Sequence, residues 1–175
     1  DGREWKTYNY FLGKGLSFPA SYDGSIAVGA SNDLNRLSNY SQYGDELDFV
    51  APSSGGNQGI TTTDRTGSAG YSNDAYTNVF SGTSSAAPLA AGIAALIFSR
   101  DPSLTELEVR NIITDSCDKI GDDDYDSGWN IYYGHGKVNA YNAVNAVAPA
   151  ANNNEVNIDD DSSSGGGGGC FISTL

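Results

Sequence analysis

The residues best suited to chemistry lie in Ser81–Pro88, reading SGTSSAAP, which runs into the uncharged stretch LAAGIAALIF ending at Phe98. A serine hydroxyl attacks a carbonyl only when a base takes its proton and donors hold the charge left on the oxygen. Ser84 sits where a turn of small residues enters a helix, so unpaired N–H groups and the positive dipole end converge beside it. Its own N–H is a candidate oxyanion donor, with Gly82 and Thr83 shaping an unhindered approach. The same residues also suit an alanine-rich core helix with an ordinary hydroxylated N-terminus. The turn alone leaves both open.

Other candidates are fewer. The single histidine is His135, in Tyr133-Gly134-His135-Gly136-Lys137. Asp122, Asp123, Asp124 and Asp126 are dense enough to suggest calcium, which takes six to eight oxygen ligands. Their spacing matches no EF-hand loop, and a solvated acidic loop explains them as well. Asp23, before Gly24, reads as a turn aspartate at the head of a strand.

Those groups need a scaffold. Ser25–Ala30 (SIAVGA) and Leu47–Ala51 (LDFVA) read as buried strands, and Gly59–Asp64 with Tyr76–Phe80 as a hairpin around a polar turn. The Ser84 helix is apolar all round, which calls for burial, and Pro102 stops it. Ser103 with Glu106 fits a capping box opening a second helix through about Ile120, with Val109, Ile112, Ile113, Cys117 and Ile120 on one side. A third helix is expected over 137–147, with Val138, Tyr141, Val144 and Val147 as its stripe. Residues 149–169, rich in Asn, Asp, Ser and Gly, read as a linker, and 170–175 as a short Cys-containing tail.

Composition sets limits. The 175 residues suffice for one domain with a sizeable core, and the net charge of −13 leaves too few cations for nucleic acid. No apolar run reaches the roughly 18 residues of a membrane span. Cys117 and Cys170 fall in a helix and a glycine-rich tail, so no disulfide between them is expected. The chain does not begin with Met, as expected of a piece of something longer.

At this point the residues resemble a family. SGTSSAAPLAAGIAALI is similar to the active-site serine motif of subtilisin-like serine proteases, with Gly-Thr-Ser-x-Ala-x-Pro at Gly82, Thr83, Ser84, Ala86 and Pro88. The wording leans to the kexin-like and related bacterial branches. FPASYDGSIAVGAS and SNYSQYGDELDFVAPS resemble segments preceding that motif, and DPSLTELEVRNIITDSCDKIG and YGHGKVNAYNAVNAV resemble the two closing helices. Residues 1–148 are then the C-terminal part of a peptidase domain. The fold implied is α/β, a three-layer subtilisin-like parallel sheet with flanking helices, here a partial domain. One departure is Ala51-Pro52-Ser53, with serine where the family usually has glycine.

The resemblance implies serine endopeptidase chemistry on peptide or protein substrates, with Ser84 as nucleophile and Gly82 and Thr83 as turn support. The aspartate, histidine and oxyanion asparagine come earlier in this family, and no histidine precedes Ser84. They are therefore expected on an upstream half of the same domain, without which the chain is inactive; Asp1-Gly2-Arg3-Glu4 resembles the segment just after that asparagine. Asp23 matches a place near the specificity pocket of kexin-like members. The resemblance also implies a secreted or cell-surface bacterial protein and a cis Phe18–Pro19 bond, and leaves calcium as a possible cofactor. With part of the sheet elsewhere, one sheet edge and one side of the Ser84 helix are expected bare. Two rivals are a non-catalytic subtilisin-like binding or scaffold module, and an α/β-hydrolase using Ser84, an acid among Asp122–Asp126, and His135. The last needs His135 within hydrogen-bond reach of Ser84.

Overall fold

The computed structural model describes residues 15–148. The expected linker and tail at 149–175, Cys170 and the Asp1–Glu4 segment lie outside the described residues. In order come β1 (Val28–Ser31), β2 (Phe49–Pro52), β3 (Ile60–Thr63), β4 (Tyr76–Phe80), α1 (Thr83–Arg100), α2 (Glu106–Asp115) and α3 (Ala140–Asn145).

β1 and β2 are parallel, with Val28 beside Phe49 and Ser31 beside Pro52. Both are short apolar runs, as expected of parallel strands covered on two faces. Segment 134–138 continues the pairing on the far side of β2, where Val50 N–H donates to the Gly136 carbonyl and Val138 N–H to the Val50 carbonyl. On the outer edge of β1 no strand pairs among the described residues. There the Ala30 N–H goes to Ser41 Oγ at 2.9 Å and its carbonyl accepts from Ser38 N–H.

Alternation along the strands sorts the core. Ala30, Phe49 and Ala51 face the helices, packing with Ala86, Ala90, Ile93 and Ile97 of α1, Val109 and Ile113 of α2, and Ala143 of α3. Ala27, Leu47 and Val50 face the other way, onto Leu16, Ile120 and Tyr133. All three helices thus cover one face of the pair and irregular segments cover the other. The described residues supply the sheet and one helical layer.

α1 is bare on one side, as expected of a partial domain, although its apolar circumference calls for burial all round. It buries one stripe, Ser85, Ala86, Ala90, Ile93 and Ile97, while Leu89, Leu96 and Phe98 are 40%, 52% and 37% exposed. A Cβ added to Gly92 would meet nothing within 4 Å. Among the described residues only one side of the helix has a partner layer. Beside the bare stripe runs an open groove of about 450 Å³ whose lining includes Ile26, Val28, Phe49, Ala91, Ala95 and Phe98.

The bounds of two helices also differ. The capping box is Thr105 with Glu108, not Ser103 with Glu106: the Thr105 side chain accepts from Glu108 N–H while Glu108 reaches back to Thr105 N–H. Ser103 is occupied elsewhere, donating both its N–H and hydroxyl to Asp101 at 2.9 and 2.6 Å. α2 ends at Asp115, so Ile120 packs from the following loop against the opposite sheet face. α3 is shorter than 137–147 because Lys137 pairs with Asp118 in a bridge, and Asn139 caps the helix through Asn142 N–H at 3.0 Å. Its buried residue is Ala143, and Tyr141 is exposed.

The hairpin forms as its β-branched and aromatic content implies, β3 antiparallel to β4 with an irregularity between Ile60 and Thr62. It is a separate two-stranded sheet leading directly into the Ser84 turn. Phe18–Pro19 is cis, as the resemblance implies. Cys117 is a free thiol.

Candidate active site: the Ser84 turn

Gly82 opens α1 at φ 85° and ψ 170°, a left-handed region that favours glycine. A Cβ there would meet nothing nearer than the Ser84 nitrogen at 3.7 Å, so backbone conformation, not space, demands glycine. Thr83 and Ser84 follow as the first two helical residues, and both are exposed. The Ser84 N–H belongs to the first turn and has no intrahelical acceptor. No acidic residue occupies that turn to neutralise the dipole's positive end. Pro88 lacks an N–H, so the Ser84 carbonyl receives no helical hydrogen bond from it.

The turn is held from below by three hydroxyls. Ser85 N–H donates to the Gly82 carbonyl at 2.9 Å. Ser85 Oγ and Ser53 Oγ each lie 2.9 Å from that same carbonyl oxygen and 2.7 Å from each other. Tyr40 OH stands 2.7 Å from Ser53 Oγ, donates to the Ser54 carbonyl at 2.9 Å and accepts from Ser54 N–H at 3.1 Å. Burial pushes the Tyr40 phenol up, but hydrogen bonds from Ser53, Ser54 and Ser38 outweigh it and hold it below the ordinary tyrosine value. Ser53 and Ser85 are both buried. Sequence reasoning missed this group. Its only signal was the serine standing in place of glycine after Ala51-Pro52.

The other candidates do not converge here. His135 donates its backbone N–H to the Asp48 carbonyl at 2.7 Å, and its own carbonyl accepts from Lys119 Nζ at 2.6 Å. That fixes it at the Asp48 end of β2, whereas the Ser84 turn is tied to Ser53 at the opposite end. The five residue steps from Asp48 to Ser53 separate the two by about 16 Å, so a Ser84–His135 hydrogen bond is excluded and the hydrolase arrangement with it. Asp23 is exposed, ahead of β1, with its carbonyl bonded to Arg110 Nη1 at 3.0 Å. It too stands at the strand end away from Ser84.

The acidic loop does not fit a calcium ion. Asp122 pairs with Arg36 at 3.0 Å, the Asp124 carbonyl accepts from Asn130, and Asp126 accepts from the Ser127 hydroxyl. Among the described residues no three His, Cys, Asp or Glu side chains come together as a metal would require. Nor, among them, is any helix long and apolar enough to cross a membrane.

The turn thus presents an exposed serine on a positive-φ glycine at the N-terminus of a helix packed on parallel strands. The chain belongs to the subtilase family, whose sequence pattern matches residues 9–136. It is 46% identical over 147 residues to a calcium-dependent protease of Trichormus variabilis, covering 75% of this chain and 22% of that one. It is 32% identical over 151 residues to the minor extracellular protease Epr of Bacillus subtilis, covering 84% of this chain and 22% of the relative. Among solved structures it resembles a protease of Pseudoalteromonas arctica, with a TM-score of 0.63 and 29% identity over 75% of this chain and 38% of that one. The chain therefore spans less than a quarter of the length of these two sequence relatives.

Proposed function

We propose that the chain is the serine-bearing part of a serine endopeptidase domain, with Ser84 as nucleophile. The observation that supports this best is the turn itself: an exposed Ser84 with an unpaired N–H, on a positive-φ glycine, within a family motif. Ser84 Oγ attacks the substrate's peptide carbonyl as its proton passes to a base. The Ser84 N–H donates to the oxygen that becomes negative. The tetrahedral centre collapses, the C–N bond breaks, and the amine leaves with the proton. Water then hydrolyses the acyl-serine and returns the hydroxyl.

The base, its orienting aspartate and a second oxyanion donor come from an upstream half of the same domain. Two observations support that division: His135 is held at the wrong end of β2, and α1 leaves an apolar side bare beside an open groove. The upstream half covers that side. Export from a bacterial cell agrees with the extracellular relative, and a calcium requirement with the calcium-dependent one. A calcium site would lie beyond Asp122–Asp126, and no catalytic step here runs through it.

The test is active-site labelling of the full-length protein with a fluorophosphonate, followed by peptide mapping. The tag is expected on Ser84 and absent in Ser84→Ala. A tag elsewhere, or none on active-folded protein, refutes the assignment and leaves a binding module as the better reading.

A further inference from the structure

We infer that Ser53, at the end of β2, is a positioning residue that locks the Gly82–Ser84 turn through the Gly82 carbonyl, with Ser85 as its partner. The inference rests on Ser84 being the nucleophile.

Gly82 has no side chain with which to cap α1, and no side-chain cap bond forms there. A glycine at φ 85° is also the residue least restrained by its own sterics. The direction of the Ser84 N–H depends on that backbone, and transition-state stabilisation falls steeply when a donor is misplaced by a fraction of an ångström. The restraint is supplied instead from 29 residues upstream. Ser53 Oγ and Ser85 Oγ both reach the Gly82 carbonyl oxygen at 2.9 Å and each other at 2.7 Å.

Proton counting makes the lock self-consistent. Tyr40 receives Ser54 N–H and gives its own proton to the Ser54 carbonyl. The two serine protons have three acceptors within reach: the Gly82 carbonyl, the other serine's Oγ and, for Ser53, the Tyr40 oxygen. With those acceptors the Gly82 carbonyl can take a serine proton while both Ser53 and Ser85 stay hydrogen-bonded, as burial demands. Neither Ser53 nor Ser85 belongs to the residues that fix the Gly-Thr-Ser-x-Ala-x-Pro motif: position 85 is its open x, and Ser53 departs from the family's usual glycine. The lock is this chain's own supplement to the motif.

The test is pre-steady-state kinetics of the full-length protease on a chromogenic peptide ester. Burst amplitude counts the competent sites, so the burst rate constant is read per folded molecule. Ser53→Ala is expected to slow that constant about tenfold with KM unchanged. Ser53→Gly, the residue usual in the family, should slow it alike and serves where the alanine variant folds poorly. Ser53→Ala/Ser85→Ala should be no slower than Ser53→Ala, because the two hydroxyls act as one unit. An unchanged rate constant, a change confined to KM, or a loss confined to burst amplitude would overturn the inference. Retained activity in Ser84→Ala would instead strike the underlying assignment of the nucleophile.

Discussion

Arg110 grips Asp48 with two prongs, Nε on Oδ1 at 2.8 Å and Nη2 on Oδ2 at 2.9 Å. The same Oδ2 accepts the Ala27 N–H at 2.7 Å. One carboxylate thus ties α2 to the heads of both parallel strands, and Arg110 Nη1 adds the Asp23 carbonyl. The Asp48 side chain is only 10% exposed against 22% for Arg110. Removing the arginine therefore strands a nearly buried charge.

Arg110→Ala should cost about 2 kcal/mol, below the range for fully buried pairs because the guanidinium retains some water. Arg110→Lys keeps the charge but loses the fork and should fall between. Urea unfolding of the domain that contains the chain measures both. A loss under about 0.5 kcal/mol for alanine would show that solvent screens the pair.

Much of this was legible in the sequence, for local reasons. The two buried strands, the hairpin and the Ser84 helix are each specified by neighbouring residues, through apolar runs, β-branched content and an uncharged stretch. The misplaced cap shows where local patterns become ambiguous. Ser103-x-x-Glu106 and Thr105-x-x-Glu108 both fit the pattern, and only Asp101, by taking both Ser103 donors, decides between them. The hydroxyl lock was illegible because its members lie at positions 40, 53 and 85. No periodicity links three such side chains, and chain topology alone brings them together. Which strand end Asp23 stands at was illegible for the same reason.

His135 gives the chain an acid-side weakness. Burial, helped by the nearby Lys119 cation, lowers its pKa from the ordinary 6.5, with Asp48 and Asp115 opposing. Above pH 6.5 the imidazole is neutral folded and unfolded, and stability is full. As pH falls below that value the unfolded chain takes up the proton first, so stability drops until the folded pKa is passed. Thermal melts of the domain that contains the chain should show a larger loss between pH 7 and 5.5 for wild type than for His135→Gln. Equal losses would mean that the folded imidazole titrates as it does in water.

The bare side of α1 offers a test of the missing half that needs no assay of catalysis. Ala95 is exposed in the described residues and lines the groove beside Ile26, Val28 and Phe98. If that face met water in the complete protein, Ala95→Glu would shift stability by no more than about 0.5 kcal/mol, as surface substitutions do. If an upstream layer covers it, the same change buries an unpaired carboxylate. The cost is then several kcal/mol, on the order of 3 or more. The expected outcome is the second, read as a fall in Tm of the full-length protein with the shift absent for Leu107→Glu, an exposed leucine on α2 outside the groove. Equal, small shifts for both variants would leave α1 facing solvent and remove the main structural support for a two-part catalytic domain.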